Sequence, residues 1–220
     1  MRKKVQTILL TGTLALSLFV TGCQKGKNGE EKAGSSYYAT EEEITSVKDQ
    51  LGDDITSGKV WFNGKVLEAP IKVKELQDMG FDFDENTKSQ IETLRAGLRV
   101  LSAIYMEKPD EDGKGTEKIS VNVANPTNKK VNLEDAVISS FRVDSNETGK
   151  CILPTGITWK ATKEEVDAAY KDAEKYEMET TTSYYYSSEV DGVSTKYYVS
   201  FEKQEDGTFE LASYGYDINY

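Results

Sequence analysis

Apolar positions fall into three regimes along the 220-residue chain. The first is nearly continuous: Val5 to Val20 is mostly apolar, broken by Gln6, Thr7, Thr11, Gly12, Thr13 and Ser17, and it follows Met1-Arg2-Lys3-Lys4. The second, Gln24 to Thr40, is rich in Gly, Ser, Lys and Glu and has almost nothing apolar besides Tyr37 and Tyr38. Such a segment cannot offset its ordering entropy by burial and is expected to be a flexible tether. From Glu41 onward, short apolar runs alternate with turn residues, the pattern of a folded chain.

Within that third regime several elements are legible. Thr40 with Glu43 forms a capping box for a helix over Glu41 to Gln50, although its apolar content (Ile44, Val47, Leu51) is thin. Val60-Trp61-Phe62 and Lys65-Val66-Leu67 flank Asn63-Gly64 and predict a β-hairpin. After Pro70, a short helix around Val73 to Met79 is expected to stop at Gly80. Phe81 and Phe83 alternate with acids, as in a short strand. Ser89 to Met106 carries two signals: Ile91, Leu94, Leu98 and Leu101 have helical spacing, whereas Leu98 to Tyr105 reads as a buried strand. We favour a strand from about Leu98, followed by strands at Ile119 to Val123 and Ala136 to Val143.

The C-terminal portion is patterned more clearly. Thr162 and Glu165 form a second capping box, and Val166, Ala169, Tyr170 and Ala173 make one apolar stripe at helical spacing. Three β-rich runs follow, Thr181 to Ser188, Ser194 to Phe201 and Thr208 to Tyr216, separated by Asp191-Gly192 and Asp206-Gly207. A two-residue turn at Asp191-Gly192 pairs Val190 with Val193, Tyr185 with Tyr198 and Tyr186 with Tyr197. A three-residue loop, Glu205-Asp206-Gly207, then sets Phe201 opposite Leu211 and Tyr198 opposite Tyr214. One face becomes apolar (Tyr184, Tyr186, Tyr197, Val199, Phe201, Leu211), and the other carries a tyrosine row, Tyr185, Tyr198 and Tyr214. The fold class expected is α+β: an antiparallel, β-rich N-terminal domain over 41–152 and a helix plus three-stranded meander domain over 153–220.

The first regime has the form of an export signal: a basic start, an apolar stretch too short for the ~20 residues of a membrane span, and small residues before a cut. It ends at Val20-Thr21-Gly22-Cys23, which resembles the lipobox of bacterial lipoproteins. That resemblance implies a signal peptide over 1–22, a diacylglyceryl group on Cys23 and a tether over 23–40. Two acyl chains give a stable anchor, so the membrane is one expected partner and the outer face of the cell membrane the expected location.

Charge and composition narrow the remaining classes. Removing residues 1–22 takes Arg2, Lys3 and Lys4 and no acid, which makes the formal charge three units more negative than −11. An acidic surface disfavours nucleic acid as a partner. With Cys23 acylated, Cys151 has no cysteine to pair with, and its neighbours Ile152 and Leu153 mark it as a small buried residue. The chain has no histidine, which removes Ser-His-Asp and Cys-His catalysis and most zinc sites. No metal or other cofactor and no catalytic residue is expected.

Leu153-Pro154-Thr155-Gly156-Ile157-Thr158, with Ala161-Thr162-Lys163-Glu164-Glu165-Val166 and Ala169-Tyr170, resembles a repeated pattern in uncharacterised lipoproteins of Gram-positive, clostridial-type bacteria. Trp61 to Lys65, Pro70, Leu76 to Phe81 and Val121 to Pro126 are similar to that family's upstream elements, so the resemblance spans 59–220. It implies a fold and a location rather than an activity, and its helix-plus-meander unit is similar to those of β-lactamase inhibitor proteins. Lys160 and Lys171 stand where the family has glycines. Without the second glycine the helix is expected to run on towards Tyr176.

Three function classes follow. The first is a non-enzymatic binding module, with Tyr185, Tyr198 and Tyr214 as a stacking platform for a glycan or protein of the cell envelope. The second is an inhibitor of a secreted or cell-wall enzyme, and the third a carboxylate-dependent hydrolase. Asp82 to Asn86 begins like a calcium loop, but Thr87 and Thr93 stand where its glycine and final glutamate belong. Asp110 to Gly113 is an acidic hairpin tip, and both stretches read as solvated loops. Ser200 and Lys203 match a serine–lysine motif by letters only, since on a strand they point to opposite faces.

Overall fold

The computed structural model describes residues 38–109 and 115–220. Cys23, the signal, most of the tether and the acidic tip at 110–113 lie outside the described residues. The N-terminal helix, α1 (Glu41–Leu51), starts at the expected capping box, with Thr40 and Glu43 bonded reciprocally. Strands β1 (Lys59–Phe62) and β2 (Lys65–Glu68) form the expected hairpin, with Asn63 and Gly64 both at positive φ. This is the two-residue turn whose twist matches the strands. Helix α2 (Val73–Gln77) follows, and Gly80 takes a φ of 91° just beyond it.

The ambiguous stretch resolves against the helical spacing: Leu94, Leu98 and Leu101 lie outside any helix, and only Ile91 ends one. Helix α3 (Glu85–Ile91) starts at Asp84, whose carboxylate accepts from the Asn86 and Thr87 N–H groups. The two-residue β3 (Thr93–Leu94) comes next, then β4 (Arg99–Pro109), the strand expected from about Leu98. Strands β5 (Thr116–Ala124), β6 (Val131–Asn132), β7 (Val137–Asp144) and β8 (Cys151–Ile152) lead to helix α4 (Lys163–Ala169), capped by Thr162 and Glu165. The chain ends in β9 (Glu174–Glu177), β10 (Thr181–Val190), β11 (Val193–Lys203) and β12 (Phe209–Asn219). Antiparallel sheet with helices, the α+β class, accounts for the described residues.

Among the described residues the largest sheet has seven antiparallel strands in the order β4-β5-β7-β12-β11-β10-β9. Two smaller sheets are β2-β1-β8 and β3-β6. The boundary expected at 152/153 does not divide the sheet. Strand β12 pairs with β7, and the Phe141 and Tyr216 rings stack across that pairing at 5.8 Å. One buried cluster draws residues from Ile55 through Ile218, Val73 and Leu76 of α2 and Val166 of α4 among them, while Val47 and Leu51 of α1 pack with Trp61 and Ile152 in a smaller second cluster. The described chain belongs to one unit.

A second correction concerns α4. It stops at Ala169 instead of running on towards Tyr176; Tyr170 is already extended, and Asp172 at a φ of 63° reverses the chain into β9. Asp supplies the left-handed residue that the missing glycine would have supplied, since its short polar side chain tolerates that conformation. The stripe itself packs as expected: Val166 and Tyr170 are buried, and the Tyr170 hydroxyl donates to the Pro154 carbonyl.

Candidate functional site

The outer face of the large sheet carries a continuous cross-strand row. Register places Glu174, Tyr185, Tyr198, Gly215, Arg142, Ser120 and Tyr105 side by side across all seven strands. Residues directly opposite on neighbouring strands share a face, so their side chains form one surface strip. Ser187, Glu189, Lys196, Glu202, Arg142, Asp217 and Tyr105 on this face are exposed, whereas the opposite face is buried.

Tyr185 opposes Tyr198, as the turn at Asp191-Gly192 predicts. Their ring centroids lie 6.1 Å apart at 43°. Tyr176 of β9 adds a third ring, edge-on to Tyr185 at 5.3 Å, with its hydroxyl donating to Glu174. Lys196 Nζ sits 5.1 Å over the Tyr185 ring. The attraction is that of a cation for a π face. Beyond Gly215, Arg142 donates to Asp144 through both Nε (3.0 Å) and Nη2 (2.7 Å). That bond raises the guanidinium further above its usual value, while burial pushes the Tyr198 hydroxyl up. Ser183 and Ser200 hydroxyls, one row away, are 2.9 Å apart.

Tyr214 is not part of this strip. The expected pairing of Phe201 with Leu211 holds, but Ser200 then faces Ser213, which leaves Ala212 as an extra residue on β12. A β-bulge of this kind switches every later residue to the other face. Tyr214, Tyr216 and Ile218 therefore enter the core, and Ser213, Gly215 and Asp217 turn outward. A signal for it exists in the chain: apolar spacing runs Phe209, Leu211, then Tyr214, Tyr216, Ile218, a change of phase at Ala212. Tyr176 lay beyond reach because it depends on α4 stopping early. Arg142 and Gly215 had no local signal, since only the strand order brings them beside Tyr198.

The other candidates take structural places. Cys151 is buried, and desolvation pushes its thiol well up. Asp82 pairs with Lys88 at 2.6 Å and Asp84 caps α3. Among the described residues no group of three or more His, Cys, Asp or Glu side chains is placed to hold a metal ion. No protein-family model, curated protein or solved structure matches this chain.

Proposed function

We propose that this chain is a non-enzymatic, lipid-anchored binding module of the cell envelope, and that it binds an uncharged glycan on the outer face of its large sheet. One observation carries the reading: Tyr176, Tyr185 and Tyr198 adjoin on an open face whose remaining positions are mostly serine and acid. A ring face that already receives the Lys196 ammonium also suits the weakly positive C–H face of a sugar. Carboxylates and serine hydroxyls beside it suit the sugar's hydroxyls. The formal charge of −11 favours a neutral ligand over a polyanion.

The anchor at Cys23 and the tether behind it would hold this face away from the membrane. The helix and strands β10–β12 are the part we liken to β-lactamase inhibitor units, and they supply Tyr185 and Tyr198. The binding-module and inhibitor readings both use Tyr214 as a third ring on this face, and Tyr214 is buried; Tyr176 takes its place beside Tyr185. Co-sedimentation of the chain with purified envelope glycan tests the proposal. Tyr185→Ala with Tyr198→Ala should abolish pelleting while the fold survives; pelleting equal to the parent would overturn it.

A further inference from the structure

Where the β1–β2 hairpin meets the beginning of β5, one buried carboxylate holds two nitrogens. Glu117 is 6% exposed. Its Oε2 accepts from Asn63 Nδ2 at 2.7 Å and lies 3.5 Å from Lys108 Nζ. Lys108 stands directly opposite Glu117 in the β4–β5 pairing, and its ammonium packs 5.2 Å over the Phe81 ring. Turn chemistry accounts for asparagine at a φ of 44°. It does not account for the clamp on the side-chain amide. The Lys150 N–H donates to Asn63 Oδ1 at 2.8 Å, and Gly149 packs so closely on the amide that a Cβ there would collide with it.

An amine, a carboxylate touching both amine and amide, and an N–H polarising the amide carbonyl are the parts of an amide exchange. We propose that Lys108 and Asn63 become joined by an intramolecular isopeptide bond, with Glu117 carrying the protons. Lys108 Nζ gives a proton to Glu117 and attacks Asn63 Cγ with the freed electron pair. The developing oxyanion is held by the Lys150 N–H. Glu117 relays protons from Nζ to Nδ2, the Cγ–Nδ2 bond breaks, and ammonia leaves, protonated to ammonium in water. One amide replaces another, so no oxidant or reductant is needed. The product would tie the hairpin sheet to β4 of the large sheet, a covalent brace in a chain whose Cys151 is unpaired.

Peptide mapping of the purified full-length chain by tandem mass spectrometry tests this. The expected result is a branched peptide joining Asn63 to Lys108, lighter than its two parts by one ammonia. Glu117→Gln and Lys108→Arg should each lose the branched peptide. Linear peptides carrying intact Asn63 and Lys108 in the folded parent would overturn the proposal, whatever the variants do. So would an ammonia loss confined to a cyclic imide at Asn63-Gly64.

Discussion

The hydroxyl end of the Tyr198 ring occupies the space that a side chain at position 215 would fill, so the tyrosine reaches over Gly215 on the outer face. The register explains why: Tyr198 and Gly215 are direct cross-strand partners, and the Phe141 carbonyl crowds the same space. A glycine here is a matter of space rather than of turn conformation.

Gly215→Ala should therefore cost about 1–3 kcal/mol of stability through overpacking. Urea unfolding measures it. Adding Tyr198→Ala should recover only part of the loss, because the Phe141 carbonyl remains in place. Full recovery would show that the ring alone demands the glycine.

Two core tyrosines one row apart should respond oppositely to loss of their hydroxyls. Tyr216 Oη accepts from the Ile71 N–H (3.2 Å) and donates to the Ile138 carbonyl (3.1 Å). Tyr214 Oη is buried with no partner. Tyr216→Phe should cost about 1–3 kcal/mol, since it strands buried backbone groups, whereas Tyr214→Phe should be neutral or stabilising. Chemical denaturation of the two variants gives both values.

Cys151 should be inert to thiol reagents in the native protein and react fully in guanidinium, since desolvation disfavours its thiolate. The denatured count also reports on the anchor. Of the two cysteines, only Cys151 should react if Cys23 is acylated; two reactive thiols would contradict lipidation.

The Asp82–Lys88 pair gives a pH signature. Burial pushes the Asp82 carboxyl up, but hydrogen bonds from Lys88, Gln77 and the Phe83 N–H outweigh it and hold the group below its usual 3.8. Asp82, chiefly, raises Lys88 from 10.5 to about 12. A lowered acid stabilises the fold fully above its unfolded value and loses that contribution as pH falls through its folded value. A raised lysine contributes below 10.5 and loses its share as pH rises through about 12. The difference in melting temperature between the parent and Asp82→Asn should thus be greatest between those limits and shrink at both ends.

Legibility in the sequence followed the range of the cause. Asn63-Gly64, Asp191-Gly192, Thr40 with Glu43 and Thr162 with Glu165 act over a few residues, and each forms the turn or cap expected. The Tyr185–Tyr198 pairing follows from one such turn and was readable in advance. Tyr214 leaves the expected strip because a single extra residue, Ala212, inverts the remainder of β12. Tyr176 departs from expectation because a helix without a glycine at Lys171 is expected to run on towards it, whereas α4 stops at Ala169 and Asp172 turns the chain into β9. Arg142 joins the strip through a pairing between β7 and β12, about seventy positions apart, which only the assembled sheet fixes.

Nuclear magnetic resonance titration of the isotopically labelled chain with soluble envelope glycan tests the central claim most directly. Resonances of Tyr176, Tyr185, Tyr198, Gly215 and Arg142 should shift together and saturate, while those of Tyr184, Tyr186 and Tyr216 in the core stay in place. Saturable shifts confined to another surface, or none at all, would contradict a binding face on the outer side of the sheet.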